Sequence, residues 1–212
     1  MVGNGIARAA RPLAIIPLLV AGLALGTPAR ADTFLFDFEN YPEYSTTTPT
    51  TLPSDTSPTQ LFATFASPQD PGGYAVFNAP PGVFTNITGN YLATNAQGNA
   101  LDITFAAALG GLTVDYFLYG GATSVDYELL SGGVDGTVVS SGTATTTISE
   151  TYGVEGILST GGVTFDTIAF LPDSGAGLAI DNLSVDTVPE PASLALLLAG
   201  LVPLGVVRRR AG

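Results

Sequence analysis

Carboxylates are the side chains with most scope for chemistry in this sequence, because its 212 residues include no histidine and no cysteine. Ser-His-Asp and Cys-His catalysis is therefore excluded, and zinc has neither imidazole nor thiolate ligands. Two carboxylates about 5–9 Å apart could still hydrolyse a glycoside, and Asp126 with Glu128, or Glu150 with Glu155, could be proposed. Adjacent acids in a strongly acidic β protein are far more often solvated, so we predict that the protein is not an enzyme.

Positive charge is confined to the two ends of the chain. The six basic residues are all arginines, namely Arg8, Arg11, Arg30, Arg208, Arg209 and Arg210. Residues 32–187 hold 17 of the 18 acidic residues and no basic one, so this region has a formal charge of −17. Such a region repels nucleic acid, which we exclude as a partner. Divalent cations are plausible counter-ions, and Ca²⁺ is favoured because it prefers oxygen ligands.

Alternation of apolar and polar residues predicts strands in residues 32–187. The clearest are residues 101–105, 112–119, 124–129, 163–170 and 178–186. Residues 112–119 are apolar on both faces, which is typical of a strand covered on both sides. Paired glycines predict turns between the strands, at Gly110-Gly111, Gly120-Gly121, Gly132-Gly133, Asp135-Gly136 and Gly161-Gly162. This spacing indicates an all-β fold, a two-sheet antiparallel sandwich.

Residues 45–60 differ from the rest of this region in composition. They form a Thr/Ser/Pro-rich tract with almost no apolar side chains. The tract therefore predicts a long surface loop or a flexible connection. Such tracts can also carry O-linked sugars in exported proteins, so O-glycosylation of residues 45–60 is a second interpretation.

The N-terminus predicts a secretory signal peptide over residues 1–31. Arg8 and Arg11 form a positive region, residues 13–25 are an apolar helical segment, and Ala29 and Ala31 match the small-x-small cleavage pattern. Cleavage after Ala31 would make Asp32 the first mature residue. A retained N-terminal anchor is the alternative, although the apolar run is short for a membrane span.

The C-terminus predicts a temporary membrane anchor behind an accessible peptide. Two prolines disfavour helix at its start, and the apolar helix predicted for residues 192–207 would span about 24 Å. Three arginines then form a cationic stop-transfer signal. The residues involved are Val188, Pro189, Glu190 and Pro191, followed after the apolar run by Arg208, Arg209 and Arg210. The alternatives are an ordinary C-terminal anchor and an apolar helix packed on the domain.

Residues 188–212 resemble the PEP-CTERM sorting signal of Gram-negative exported proteins. The Pro189-Glu190-Pro191 motif, the hydrophobic segment and the terminal arginines stand in the same order as in that signal. The resemblance implies processing by an exosortase, a membrane enzyme, after transient insertion of residues 192–207. It also implies export across the inner membrane, transient anchoring there, and a final location at the cell surface or outside the cell.

Residues 32–187 are similar at both ends to the jelly-roll domains of many PEP-CTERM proteins. The opening strand reads Phe-Asp-Phe-Glu at 36–39, and the closing strand reads Ile-Asp-Asn-Leu at 180–183. The resemblance implies a two-sheet antiparallel jelly-roll sandwich like carbohydrate-binding modules, flanked by an N-terminal signal helix and a C-terminal hydrophobic helix. It also implies a structural calcium held by Glu39 and Asp181, with Asp37 as a third candidate.

Alternation along these two strands gives an expectation for each acid. Phe34, Phe36 and Phe38 should enter the core, which turns Asp37 and Glu39 the other way. By the same rule Asp181 shares a face with Leu183 and Val185. Since no basic residue is present, a covered Asp181 needs a cation, a backbone N–H or water as its partner. Glu39 and Asp181 could also be solvated strand-end carboxylates.

Three functions are compatible with these observations. The first is an exported structural or adhesive protein of an exopolysaccharide matrix or biofilm. The second is a surface carbohydrate-binding module, in which exposed aromatic rings stack on sugars. The third and most distant is a carboxylate-dependent glycoside hydrolase. The ring candidates for sugar binding are Tyr74, Tyr91, Tyr119 and Tyr152, and a row of exposed tyrosines on one sheet would favour binding.

Overall fold

Antiparallel strands make up the regular structure of the described residues. The computed structural model describes residues 31–43, 50–56, 59–70, 73–94 and 96–189. The strands are β1 (Thr33–Phe36), β2 (Thr50–Pro53), β3 (Phe62–Ala66), β4 (Tyr74–Asn78), β5 (Asn90–Thr94), β6 (Leu101–Tyr119), β7 (Ser124–Ser131), β8 (Thr137–Thr145), β9 (Ile148–Ser149), β10 (Val154–Leu171) and β11 (Gly177–Thr187). No helix occurs in the described ranges, which confirms the all-β prediction.

The strands form one continuous sheet that is divided between two layers. The main path runs β4-β5-β11-β6-β10-β7-β8. We define layer A as β4, β5, β11, β1 and β9 with the second half of β6 and the first half of β10. Layer B is β2, β3, β7 and β8 with the remaining halves of β6 and β10. The two long strands β6 and β10 therefore pass from one layer to the other.

Two glycine pairs lie where β6 and β10 cross between the layers. Gly161 pairs with Gly111, and the register of β6 and β10 then shifts between Gly161 and Phe165 and again before Thr167. Gly162 has a φ of 84°, a conformation that glycine adopts at little cost. The turns predicted at Gly110-Gly111 and Gly161-Gly162 are therefore wrong, because these glycines form bulges inside long strands.

The other predicted turns are found between strands. Gly120-Gly121 lies between β6 and β7, while Gly132-Gly133 and Asp135-Gly136 connect β7 to β8. Residues 105–109, the best helical candidate in the sequence, belong to β6 instead. Burial in β6 follows the predicted alternation, since Leu101, Ile103 and Phe105 are buried.

Phenylalanine rings join the two layers across the core. Phe36 of β1 lies 6.1 Å from Phe65 of β3 and 6.1 Å from Phe105 of β6, measured between ring centroids. Phe38 lies 5.6 Å from Phe65. Phe34, Phe36 and Phe38 are at most 5% exposed, which confirms the prediction that they enter the core. Edge-to-face contacts of this kind add to the stabilisation from burial.

Part of the Thr/Ser/Pro tract is a strand and not a loop. β2 pairs with β3, from Thr50 opposite Phe65 to Pro53 opposite Phe62. Ser54 is 1% exposed, and its Oγ accepts a hydrogen bond from the Leu61 N–H at 3.0 Å. The prediction of a loop over 45–60 fails for residues 50–53, because backbone pairing to β3 requires no apolar side chains. Residues 44–49 and 57–58 lie outside the described ranges.

Both ends of the unit formed by Ala31–Val188 lie together. The Thr187 N–H donates to the Asp32 carbonyl at 2.9 Å, and the Asp32 N–H donates to Thr187 Oγ1 at 3.2 Å. The Val188 N–H donates to the Ala108 carbonyl at 3.0 Å. The chain therefore enters and leaves layer A at the same point.

Most of the predicted targeting segments fall outside the described residues. These are residues 1–30 with Ala29 and the signal helix, Glu190, Pro191, the apolar segment 192–207, and Arg208, Arg209 and Arg210. Ala31, Val188 and Pro189 are described and exposed. Within the described residues no helix is long and apolar enough to cross a membrane.

Replacing Phe65, whose ring joins the layers, should lower the stability of the domain more than replacing Phe62, an exposed ring on the same strand. Phe65 is fully buried, whereas Phe62 is 47% exposed. We expect Phe65→Ala to lower the free energy of unfolding by about 3–5 kcal/mol and Phe62→Ala by about 0.5 kcal/mol. Urea denaturation of residues 32–187 measures both values. Equal losses for the two variants would contradict the layered core described above.

Candidate functional site

A bulge in β11 determines which way its polar residues face. The register between β11 and β6 shifts between Asp181 and Ser184, and Asn182 has a φ of 49°. Because the bulge adds one residue, Asp181 lies on the outer face of layer A while Leu183 packs in the core on the other face. The expectation that Asp181 and Leu183 share a face is therefore wrong.

The loop at residues 79–89, which joins β4 to β5, is held by Glu155 of β10. Glu155 is fully buried, although its strand lies near the edge of layer A. Its carboxylate accepts hydrogen bonds from the Thr85 N–H at 3.1 and 3.2 Å and from the Asn86 N–H at 2.8 Å. Backbone amides thus satisfy this buried charge, for which residues 32–187 contain no cationic side chain.

Two further carboxylates hold the other end of the same loop. Asp181 Oδ2 accepts from the Thr88 N–H at 3.1 Å, and Glu39 Oε1 accepts from the Asn90 N–H at 3.0 Å. The Glu39 carboxylate also fills the space where a side chain at Gly89 would lie. Acids from β10, from β11 and from the segment after β1 therefore fasten one loop through its backbone.

Asp181 is the most perturbed acid of this group. Burial raises its pKa to about 7, hydrogen bonds from the Thr88 and Asn182 N–H groups oppose the rise, and the negative charges of Asp115 and Glu39 add to it. Asp115 stands opposite Asp181 in the register of β6 and β11. Burial also raises the pKa of Asp115, against a hydrogen bond from the Asn182 side chain at 3.1 Å.

Aromatic rings gather on the outer face of layer A, next to this loop. Phe84 of the loop lies 4.8 Å from Phe117 and 5.9 Å from Tyr91, between ring centroids. Phe77 stacks on Tyr91 at 6.0 Å, and Phe117 stacks on Tyr119 at 6.2 Å. We call these five rings the aromatic cluster. Phe117 is buried beneath the others, which are half-buried.

Small residues leave room for the aromatic cluster on the sheet. Ala179 of β11 pairs with Ala93 of β5 on one side and with Phe117 of β6 on the other. A Cβ atom at Gly153 would lie 2.6 Å from the Phe117 ring. The turn before β10 therefore packs directly against the cluster, and it can do so only with glycine at this position.

The four predicted tyrosines have different locations. Tyr74 is 1% exposed in the core, and its hydroxyl donates to the Asn99 carbonyl at 3.0 Å. Tyr91 and Tyr119 belong to the aromatic cluster, and the Tyr119 hydroxyl donates to the Thr94 carbonyl at 2.8 Å. Tyr152 is 68% exposed, one residue before Gly153. Tyr74 is thus not available to a ligand.

Phe77, Phe84 and Phe117 were not among the predicted binding residues. The sequence did indicate Phe117, because residues 112–119 are apolar on both faces. The face turned away from the core therefore had to be covered as well. Phe84 carried none, since it lies in a loop whose position depends on carboxylates distant in the sequence.

The predicted calcium ligands are only partly brought together. Glu39 lies close enough to Asp181 for its charge to raise the pKa of that carboxyl. Asp37 lies beside Asp55, whose Oδ2 accepts from the Asp37 N–H at 3.0 Å, and its own Oδ1 accepts from the Glu39 N–H at 3.1 Å. Burial and the Asp55 charge raise the pKa of Asp37. Among the described residues, no group of three or more Asp, Glu, His or Cys side chains could hold a metal ion.

Glu155, Glu150 and Asp126, three of the acids considered for catalysis, accept hydrogen bonds that hold structure. Glu155 is occupied by loop amides, and Glu150 Oε1 accepts from the Thr85 hydroxyl at 2.7 Å. Asp126 accepts from the Thr143 hydroxyl at 2.6 Å on the β7–β8 hairpin of layer B. These contacts assign the acids to positioning of backbone and hydroxyl groups.

Comparisons with known proteins assign no family to this chain. No protein-family model matches the sequence, and no curated protein matches it. Among solved structures it is similar to the K2 adhesin domain of Lys-gingipain (12% identity, TM-score 0.49, covering 73% of this chain and 99% of that one). The K1 adhesin domain of Lys-gingipain from Porphyromonas gingivalis W83 has 14% identity and a TM-score of 0.47, covering 74% and 99%.

A carbohydrate-binding module is also among the similar structures. A family 6 module has 17% identity and a TM-score of 0.39, and the match covers 76% of this chain and 100% of that one. All three TM-scores lie below 0.5, so the likeness is loose and gives this chain neither a family nor a ligand.

The pKa of Asp181 predicts that acid stabilises the domain. The folded protein binds this proton with a pKa of about 7, against an ordinary value of 3.8. Between these pH values the folded state therefore binds more protons than the unfolded state. The free energy of unfolding then falls as pH rises, with a slope of at most about 1.4 kcal/mol per pH unit. Urea unfolding in the presence of a chelator should show this decline between about pH 4 and pH 7.

Asp181→Asn isolates the contribution of that carboxyl. An amide cannot ionise, so the variant should show a shallower decline over the same pH range. A residual slope remains because burial also raises the pKa of Asp102 and Asp115. An unchanged slope would mean that Asp181 does not titrate as described.

Proposed function

We propose that residues 32–187 form a carbohydrate-binding module and that the aromatic cluster is its ligand site. The observation that carries this proposal is the set of half-buried rings on the outer face of layer A, where a solvated sheet would present polar side chains. Aromatic rings stack on the apolar faces of sugars, and ligand sites combine such rings with a few polar groups.

Polar groups beside the rings support the same proposal. Glu150 bonds to Thr85, the residue after Phe84, and Glu39 bonds to Asn90, the residue before Tyr91. Sugar hydroxyls need acceptors of this kind, because a bound hydroxyl without a partner loses free energy. Rings and acceptors together suit a polysaccharide better than a purely apolar ligand.

We infer that the two layers form a jelly-roll sandwich. Three features support this: the antiparallel pairing throughout, the shared phenylalanine core, and the pairing of the opening strand β1 with the closing strand β11. The pairing of first and last strands also agrees with the resemblance of the two ends to jelly-roll domains.

The module would be the binding part of an exported matrix protein. In this proposal the protein crosses the inner membrane of a Gram-negative bacterium, inserts transiently through residues 192–207, is processed by an exosortase, and acts as a structural or adhesive protein in exopolysaccharide or biofilm. The position of the site supports this role, because the rings lie away from the end of β11 at which the tail leaves. Ala179, beside the rings, is eight residues from Thr187 along β11, or about 26 Å from the end where the tail leaves.

We propose further that a structural Ca²⁺ is held by Glu39 and Asp181. Asp181 is a buried carboxylate repelled by two neighbouring acids, and a divalent cation would neutralise that repulsion with the oxygen ligands it prefers. We leave Asp37 out of this pair, because the charges that act on Asp181 are those of Asp115 and Glu39, whereas those that act on Asp37 are those of Asp55 and Glu39. Bound Ca²⁺ would supply charge neutralisation and would stabilise the 79–89 loop.

Removing the central ring should weaken glycan binding without unfolding the domain. We expect Phe84→Ala to reduce affinity at least about tenfold, equivalent to about 1.4 kcal/mol, because Phe84 contacts both stacked pairs. Phe62→Ala, an exposed ring of layer B, is the matched control and should bind normally. A glycan array with purified residues 32–187 identifies the ligand, and calorimetry measures the affinities. Equal affinity in Phe84→Ala would exclude the aromatic cluster as the site.

Calcium should raise the melting temperature of the wild-type domain. At 100 times the dissociation constant the stabilisation would be about 2.7 kcal/mol. We expect Glu39→Gln and Asp181→Asn to lose the calcium-dependent shift, whereas Asp37→Asn should retain it. Differential scanning calorimetry with Ca²⁺ and with a chelator gives the comparison. The absence of a shift in the wild type would rule out the calcium site.

A further inference from the structure

The rim of the aromatic cluster carries negative charge and no positive charge. Glu150 and Glu39 are each bonded to a residue next to a cluster ring, through contacts of 2.7 Å to Thr85 Oγ1 and 3.0 Å to the Asn90 N–H. Glu39 is exposed and Glu150 is half-buried. Both acids are therefore held at residues that adjoin cluster rings in the chain, and neither is fully buried.

No cationic side chain of residues 32–187 compensates these charges. Residues 32–187 have no lysine, arginine or histidine. Asp115 adds a third carboxylate, which is half-buried on the same face, opposite the buried Asp181. A charge close to a carboxylate at a protein surface interacts with it more strongly as the local dielectric falls. The sign of the ligand's charge should therefore strongly affect binding.

We propose that the ligand is a glycan with free amino groups, bound in preference to the same glycan in neutral form, and that anionic polysaccharides are excluded. This inference rests on the proposed function of the aromatic cluster and specifies its ligand class. The rings contact sugar faces irrespective of charge, whereas the rim carboxylates favour an ammonium group and repel a uronate or sulfate. Selection by charge thus adds to recognition by shape.

Three oligosaccharides of one length test the order of affinities. The probes are a β-1,4-linked glucosamine hexasaccharide, its fully N-acetylated form, and a hexauronate, measured by calorimetry at about pH 6 with a chelator present. We expect the amino form to bind at least about tenfold more tightly than the acetylated form at low salt, and the hexauronate not to bind. The preference should shrink when ionic strength is raised, because salt screens exposed charges.

Single neutral replacements test whether the rim causes the preference. Glu150→Gln should lower the ratio of amino-form to acetylated-form affinity about threefold or more. Asp126→Asn is the matched control: it also removes a carboxylate that accepts a threonine hydroxyl, but on the hairpin of layer B. It should leave the ratio unchanged. An equal fall in both variants would assign the effect to net charge and overturn the role of the rim.

The outcomes separate this inference from the proposal beneath it. If none of these probes binds and the glycan array is also negative, the proposed function fails. If the hexauronate binds as tightly as the amino form in chelator, or if the acetylated form binds best, the site is a glycan site and only the inferred ligand class is wrong. Binding of the hexauronate only after Ca²⁺ is added would support exclusion by charge, since the cation then bridges two anions.

Discussion

The structure depends on how a domain without cationic side chains satisfies its buried carboxylates. Glu155 and Asp181 are almost fully removed from water, and neither has a lysine or arginine available within residues 32–187. Both are bonded by backbone N–H groups of one loop, at residues 85, 86 and 88. A buried charge that lost these donors would cost several kcal/mol, so the acids and the loop require each other.

The bonds between these acids and the loop also position the candidate site. Once residues 85–88 are fastened to β10 and β11, Phe84 is carried onto Phe117, and it then connects the two stacked ring pairs. The same fastening leaves Glu39 and Glu150 at the rim, next to the rings. The proposed sugar site, the proposed calcium site and the charge selection inferred for the ligand are therefore consequences of one arrangement of acids.

The layered fold follows from a different feature, which is the length of the strands β6 and β10. β6 and β10 each serve both layers, and their glycines permit the bulges at which the register changes. Phe36, Phe38 and Phe65 then close the core between the layers. Because β1 pairs with β11, the two ends of the chain's folded unit meet at one end of layer A, away from the rings.

The sequence by itself determined the all-β class, the burial of the opening phenylalanines, the exclusion of histidine and cysteine chemistry, and the need of a covered Asp181 for a cation, an N–H or water. These follow from composition and from a two-residue period, which are local properties. Only the tertiary structure decided that amides fasten the loop, that a bulge turns Asp181 away from Leu183, and that residues 50–53 form a strand. Each depends on contacts between residues distant in the chain. A bulge also reverses the faces of the residues that follow it, although the alternation of apolar and polar residues in the sequence is unchanged.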